Sequence, residues 1–395
     1  MNQNNNVSVI LTRIQKSAAV VGGIALLAML IGALLDREQF YQSYLLGYLY
    51  WLSPTLGCLG LLMLHYLVGG GWSFIIRRQL EAAVKILPIM ALLFLPILFG
   101  MSDLFPWTHA EEVAINPVVQ HKAPYLNTSF FVLRAIGYFA LWGLLAFFLV
   151  RWSARQDETG DPALLEKLKW ISGPGIVLLA LTINFASVDW IMSLEPEWFS
   201  TIYGLLFLVC GGLSALAIIV LATRRLSAEK PLVDLLLPKH FHDWGNLILA
   251  FVLLWAYMAF SQFLIIWSAN LPEEVSWYVY RTTHGWQILA IALVIFHFAL
   301  PFLILLNRRS KRAASNLAKI AGWMVVARFF DLFWWTKPAF SPEGFSIHWM
   351  DVAAPLAIGG IWVAALAWNL KAQPLMPLHD PRLEEAFGSE VLNHG

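Results

Sequence analysis

Long apolar segments recur along almost the whole chain, and they limit its fold more than any other feature of the sequence. We locate ten of them, at residues 18–35, 43–68, 83–101, 130–150, 172–194, 200–223, 243–268, 277–306, 314–336 and 350–369. A helix needs ~20 apolar residues to cross the hydrocarbon core of a bilayer, and each segment has that length or nearly so. Charged residues make up only 13% of the chain, against about one-quarter in soluble domains. The sequence therefore predicts an all-α integral membrane protein with ten transmembrane helices.

Basic residues are distributed very unevenly among the loops between these segments. If the N-terminus lies in the cytoplasm, twenty of the 26 Lys and Arg residues fall on the cytoplasmic side. Short loops rich in Lys and Arg stay in the cytoplasm, so we predict that both termini are cytoplasmic. No small-residue cleavage site follows the first apolar segment, so we expect helix 1 to be retained and not removed as a signal peptide.

Two features late in the chain repeat two earlier ones. The sequence SFFVLR, which ends at Arg134, resembles SWYVYR, which ends at Arg281, at an offset of 147 residues. Asp189 and Asp331, 142 residues apart, are each followed seven residues later by a proline. We therefore predict two four-helix bundles, helices 2–5 and helices 6–9, which are parallel because four helices return the chain to the side where it started. The predicted divisions are 1–42 (N-terminal segment and helix 1), 43–199 (first bundle), 200–349 (second bundle) and 350–395 (helix 10 and a cytoplasmic tail).

Polar residues inside the apolar segments are costly in lipid, which makes them candidates for function. We sort them by expected depth into two layers. The outer layer, a candidate ligand or proton site, contains Arg134, Asp189, Gln262, Arg281, His284, Arg328 and Asp331. The inner layer, a candidate proton path, contains His65, His240, His242, Asp243, His297 and Tyr257.

Two interpretations of the outer layer remain open. The repeat predicts that Arg134 pairs with Asp189 and Arg281 with Asp331, while Arg328 shares a helix face with Asp331, three residues on. Such pairs can fix the register of neighbouring helices. Alternatively, a carboxylate exchanges protons while an arginine holds a carbonyl oxygen of a ligand. Duplication copies structure and function alike, so the repeat does not separate the two interpretations.

The sequence lacks the usual ligand patterns of a bound redox centre. It has no CxxCH motif for covalent haem, and its two cysteines, Cys58 and Cys210, lie in the middle of different apolar segments. His284 and His297 are thirteen residues apart, which turns them about 140° away from a common helix face. We therefore expect no haem, no iron–sulfur cluster and no metal ion.

Two polar segments are expected at the inner surface. Gly69–Gly71 followed by WSFIIRRQLEAAVK predicts a flexible break and a basic amphipathic helix on the membrane surface. The tail after Leu370 is polar and contains three prolines, so we expect it to extend along neighbouring subunits or to be disordered.

The stretch Pro238–Arg281, PKHFHDWGNLILAFVLLWAYMAFSQFLIIWSANLPEEVSWYVYR, together with the repeat and the flanking helices, resembles the ActF subunit family of alternative complex III. That complex is a bacterial quinol:cytochrome c oxidoreductase, and ActF belongs to the superfamily of NrfD and polysulfide-reductase membrane anchors. The resemblance implies a haem-free subunit of the bacterial inner membrane. Its implied partners are an ActC-like membrane sister subunit and periplasmic multihaem cytochrome c and iron–sulfur subunits. It also implies a quinone site near the outer face of the first bundle, represented here by Arg134 and Asp189.

We therefore expect a subunit of a respiratory or photosynthetic electron-transfer complex, not an enzyme on its own, that contributes to quinol binding or to transmembrane proton movement. Quinone is the candidate non-covalent ligand, lipid is an expected partner, and nucleic acid is not. Two alternatives remain. Repeats and buried ion pairs also suit a proton-coupled secondary transporter, and the chain could be a structural scaffold within the same complex.

Overall fold

The computed structural model describes residues 3–377 and residue 380, and these residues form helices and loops without a strand. The ten long helices are α1 (Gln3–Leu35), α2 (Arg37–Val68), α3 (Arg77–Phe99), α4 (Thr128–Thr159), α5 (Pro162–Trp190), α6 (Tyr203–Leu226), α7 (Pro238–Ala269), α8 (Trp286–Leu306), α9 (Ala314–Thr336) and α10 (Trp349–Lys371). Within the described ranges, nine helices are long and apolar enough to cross a membrane; α9, which carries Lys319, Arg328 and Asp331, is not among them. The prediction of an all-helical protein built from membrane-spanning segments is confirmed to that extent.

Consecutive long helices run antiparallel, which gives the array two ends. We call the end at the α1–α2 junction the Asp36 end and the opposite end, at the loop after α2, the Gly69 end. Polar caps begin several helices: Asp36 and Asn127 each accept a backbone N–H of the first turn, at 3.0 and 2.9 Å. At the ends of other helices the chain takes a positive φ: Gly160 follows α4 with φ 66°, and Asn270 follows α7 with φ 48°.

Prolines interrupt α3 twice. Its three pieces are Arg77–Val84, Leu87–Leu92 and Leu95–Phe99. Pro88 and Pro96 stand in the first turns of the second and third pieces, and since proline has no N–H for the preceding turn, the helix loosens at each junction.

Two tyrosines of α2 bond to the carbonyls that these interruptions release. The hydroxyl of Tyr48 donates to the carbonyl of Met90 at 3.1 Å, and that of Tyr44 donates to the carbonyl of Leu93 at 2.7 Å. Backbone groups at membrane depth must find partners inside the protein. The tyrosines therefore make the broken helix acceptable in a lipid environment.

The single helix predicted over residues 277–306 is divided in the structure. Pro272–Arg281 is a separate short helix, and His284 (φ 51°) and Gly285 (φ 94°) turn the chain before α8 begins. Within α8, residues Val294–Ala299 form a π-helical turn that runs directly into the turn containing Pro301. Proline breaks the regular hydrogen-bond ladder, and π-turns of this kind are frequent at functional sites.

Helices α2 and α6 lie at the centre of the array. α2 packs against α5, α6 and α10, while α6 packs against α5, α7 and α9. Glycines allow the close α2–α6 approach, because a Cβ added at Gly57 would collide with the backbone of Gly211. α1 packs mainly on α10 and leaves apolar side chains such as Leu27 and Leu34 exposed, as suits a helix that faces lipid.

Candidate functional site

Helices α4 and α5 carry the ion pair that the sequence predicts. Arg134 of α4 binds Asp189 of α5 through two bonds, Nε to Oδ2 at 2.9 Å and Nη2 to Oδ1 at 2.8 Å. Tyr138 donates to Asp189 Oδ2 at 2.9 Å, and Arg134 Nη1 donates to the carbonyl of Tyr125 at 2.9 Å. The predicted Arg134–Asp189 pair is thus confirmed. We call these four residues the Asp189 cluster.

Aromatic side chains fill the space beside the Asp189 cluster. The ring of Trp190 lies 4.8 Å from that of Phe94 and 5.9 Å from those of Phe139 and Trp142, measured between centroids. The guanidinium of Arg134 is stacked 3.9 Å from the ring centroid of Tyr125. Tyr125 lies in the loop before α4. Burial raises its pKa most, and the negative charge of Asp189 raises it further, so its phenol stays protonated.

The predicted partner of Arg281 is wrong. Its guanidinium binds Glu195, in the loop between α5 and α6, with Nη2 to Oε2 at 2.5 Å and Nη1 to Oε1 at 3.2 Å. It also donates to the carbonyls of Trp277, Trp334 and Trp335 and lies 3.8 Å from the ring centroid of Trp277. Arg281 therefore ties the loop before α6 to the end of α9.

Asp331 pairs instead with Arg328 of its own helix, one turn earlier. The thiol of Cys210 in α6 points at Asp331 Oδ2, 3.9 Å away. The other carboxylate oxygen, Oδ1, is buried and has no hydrogen-bond partner among the residues that the structure describes. The same holds for the indole nitrogen of Trp255 and for both ring nitrogens of His297.

A cavity of about 570 Å³ lies among α6, α7, α8 and α9 beside Asp331. Trp255 also lines it, and the ring of His297 packs behind that indole with centroids 4.2 Å apart. Gln262 and Tyr278 add polar groups to the wall, and the Gln262 amide donates to the Tyr278 hydroxyl at 3.2 Å. Helices α6 to α9 therefore enclose a mostly apolar cavity with a few polar groups, which is the usual construction of a small-molecule site.

His284 and Tyr257 are both exposed. His284 is exposed in the break before α8, beside Thr283. Tyr257, which the sequence groups with an inner proton path, has 70% of its surface exposed and stands at the mouth of the cavity. Its place in a proton path stays a prediction.

The inner histidines have different surroundings. His65 shares a short 2.5 Å hydrogen bond with Ser73, and the buried ring of His240 accepts the backbone N–H of Leu237 at 3.1 Å. His242 and Asp243 are partly exposed near the Gly69 end. His297 lies on the π-helical turn of α8, which packs against α9.

A buried charge network at the Gly69 end was missed by sequence reasoning. Arg77 and Arg78, expected on a surface helix, are 0% and 2% exposed. Glu81 accepts from Arg77 at 3.1 Å and from Arg78 at 2.6 Å, and Ser153 of α4 donates to it at 2.5 Å. Asp380 of the tail binds Arg77 at 2.7 Å. Glu81 lies four residues after Arg77 and three after Arg78, and this helical spacing was the available signal in the sequence for an ion-pair network.

A second missed network joins helices at the Asp36 end. Asp351 of α10 accepts from Ser43 of α2 at 2.6 Å and from Gln39 at 3.1 Å, and Lys337 lies 3.5 Å from it. Lys337 lies in the connection after α9 and is only 3% exposed. Burial lowers the pKa of Lys337, and the charge of Asp351 opposes that effect.

No family model matches the chain, and no curated protein does so either. Within the described part of the chain, no group of three or more His, Cys, Asp or Glu residues is arranged to hold a metal ion.

Proposed function

We propose that this chain is a haem-free membrane subunit of a quinol-oxidising electron-transfer complex of the ActF type. The observation that carries the proposal is the Asp189 cluster: a buried carboxylate with an arginine and a tyrosine, near one face of the array. Oxidation of a quinol releases protons along with electrons, and a buried ionisable carboxylate is suited to accept them. The proposed role is quinol binding and transmembrane proton movement.

The proposed architecture is two parallel four-helix bundles flanked by α1 and α10. Packing supports it, since α2 contacts α3 and α5, and α4 contacts α3 and α5. In the same way α6 contacts α7 and α9, and α8 contacts α7 and α9. These contacts are the ones that two four-helix bundles require, and α10 packs on α1 and α2.

We propose that the Asp36 end faces the periplasm of a bacterial inner membrane. The uneven distribution of Lys and Arg supports this orientation. Of the proposed partners, an ActC-like sister subunit would lie in the same membrane, and the multihaem and iron–sulfur subunits would contact the periplasmic side. Both cysteines are buried, so a cysteine introduced at Arg308 gives a clean labelling site. If an impermeant reagent modifies that site from outside intact cells, the proposed orientation is wrong.

The functional test is Asp189→Asn, which is nearly isosteric but cannot ionise. Two quantities are measured in the membrane: the amount of intact complex and the quinol:cytochrome c turnover per complex. If Asp189 serves quinol or protons, the complex assembles and its turnover per complex falls. If the pair only fixes helix register, removal of one charged partner costs roughly 3–5 kcal/mol and assembly falls first. Poor assembly with full turnover per complex is the result that rejects the proposal for Asp189.

A proton-coupled secondary transporter is a second candidate, favoured by the interruptions in α3 and before α8. Many transporters bind their substrates at discontinuous helices. Co-purification separates the candidates, because a redox subunit or a scaffold should bring c-type haem partners with it, whereas a transporter should purify alone.

A further inference from the structure

The cavity among α6–α9 combines an apolar interior with unsatisfied polar atoms. Trp255 Nε1 is a donor and Asp331 Oδ1 is an acceptor, and both are buried without a hydrogen-bond partner among the described residues. Both residues line the cavity, but the two atoms themselves have almost no accessible surface, so a ligand reaches them only when these side chains turn toward the cavity. A buried polar atom without a partner destabilises the structure that contains it. A ligand that offers one acceptor and one donor would remove both costs.

The cavity opens sideways, toward the lipid-facing surface of α7 and α8. Its rim includes Tyr257, Phe260, Ile291 and Val294, all of which are more than half exposed. A ligand can therefore place a polar head beside Asp331 while an apolar tail remains among the lipid chains.

We propose that this cavity binds the ring headgroup of an isoprenoid quinol, as a second quinone-binding site in addition to the region of Asp189. The inference rests on the proposed function, because it assumes that quinol is a ligand of this chain. One quinol O–H donates to Asp331 Oδ1, and the other ring oxygen accepts the indole N–H of Trp255. Tyr278, whose oxygen accepts from Gln262 at 3.2 Å, retains its own hydrogen for a ligand oxygen.

Other membrane-soluble molecules fit these groups less well. An acyl chain of a phospholipid carries no donor or acceptor, so it leaves both buried atoms unsatisfied. A phospholipid headgroup is charged, and the mostly apolar residues that line the cavity include no cationic side chain to pair with its phosphate. A small polar solute lacks the apolar tail that the rest of the wall and the lipid-facing mouth accommodate.

The test uses the full-length chain in lipid nanodiscs and a short-tailed azidoquinone that labels its binding site on illumination. We expect labelled peptides from α7 and α8. Trp255→Phe removes only the indole N–H and Asp331→Asn removes the carboxylate charge, and each should weaken binding roughly tenfold. Ala259→Phe fills the cavity and should abolish labelling there, and Ala290→Phe fills it from α8 if the first variant does not fold.

Two matched controls separate site effects from general damage. Trp362→Phe removes a buried indole N–H in α10, where it donates to Thr55 at 2.8 Å, away from the cavity. Ala140→Phe adds the same ring to an exposed position on α4. Both should label as the unsubstituted protein does.

The outcomes distinguish this inference from the proposed function. Labelling confined to α4 and α5 and unaffected by either filling variant rejects the second site but leaves quinol as a ligand of the chain. An absence of specific labelling anywhere rejects both. A third outcome also rejects the inference: the Trp255 and Asp331 substitutions leave quinone binding unchanged, and an azido-acyl phospholipid labels the same peptides. The cavity would then be a pocket for lipid tails.

Discussion

Arg281 and Glu195 form a salt bridge across two connecting segments, with the closest nitrogen and oxygen 2.5 Å apart. Arg281 ends the short helix before α8 and is fully buried, whereas Glu195 lies in the α5–α6 loop with 23% of its side chain exposed. This contact joins the end of the first predicted bundle to the second. It takes the place of the Arg281–Asp331 pair that the sequence repeat predicts.

Glu195→Gln should therefore destabilise the protein, because it leaves the buried guanidinium without its negative partner. We expect a cost of about 3 kcal/mol, at the lower end of the range for a broken buried pair, since Glu195 is partly exposed and Arg281 keeps three carbonyl acceptors. The measurement is the thermal unfolding midpoint in mild detergent. Glu197→Gln, on the exposed neighbour in the same loop, is the control. An equal effect of the two substitutions would contradict the assigned role.

Some contacts could be predicted from the sequence because a pattern marks them. Arg134 and Asp189 lie on consecutive antiparallel helices, near the same end of each, and both recur in the repeat. Glu195 carries no such mark, since it lies in a loop without periodicity. A repeat indicates equivalent positions, but the partner of a long arginine side chain depends on which loop passes within its reach.

The candidate cavity was also beyond sequence reasoning, although the sequence singled out several of its residues. Gln262, Tyr257 and Asp331 were assigned by depth along their helices. Depth does not show which face of a helix a side chain occupies, and the break at His284 changes the rotation of α8 relative to the preceding helix. Val294 and Phe298 of the π-turn line the cavity, and the regular helical period used to read the sequence does not predict which way they face.

The network at the Gly69 end predicts a ranking of two substitutions. Glu81 accepts hydrogen bonds from both Arg77 and Arg78, so Glu81→Gln weakens the bonds of two buried guanidinium groups. After Asp380→Asn, Arg77 keeps Glu81 and Ser153 as acceptors. We expect Glu81→Gln to lower the unfolding midpoint clearly more than Asp380→Asn, with roughly 3–5 kcal/mol for the first. The reverse order would show that the tail, and not α3, organises the network.

Lys337 predicts a pH dependence of stability. Burial lowers the pKa of Lys337 below its ordinary value of 10.5 in the folded protein. Between the lowered pKa and 10.5 the unfolded chain binds more protons than the folded one, so stability rises with pH in that window. Lys337→Met lacks this contribution. The unfolding midpoint of the unsubstituted protein relative to Lys337→Met should therefore increase as the pH rises toward 10.5. A difference that shrinks with rising pH would show that Asp351 stabilises the charged lysine more than burial destabilises it.

The two tyrosines that bond to α3 lead to a graded prediction about the broken helix. Tyr48 is fully buried, so Tyr48→Phe leaves the carbonyl of Met90 without a donor and without access to water, at a cost of about 1–3 kcal/mol. Tyr44 is 7% exposed, so Tyr44→Phe should cost less.

Amide hydrogen exchange across α3, together with the unfolding midpoint, measures both effects. Exchange between Leu87 and Phe99 should accelerate more in Tyr48→Phe than in Tyr44→Phe, because the loosened junctions then open more readily. Tyr257→Phe removes an exposed hydroxyl from α7 and should leave exchange in α3 unchanged. Equal exchange in all three variants would mean that packing alone holds the interrupted helix and that the tyrosine hydroxyls contribute nothing to it.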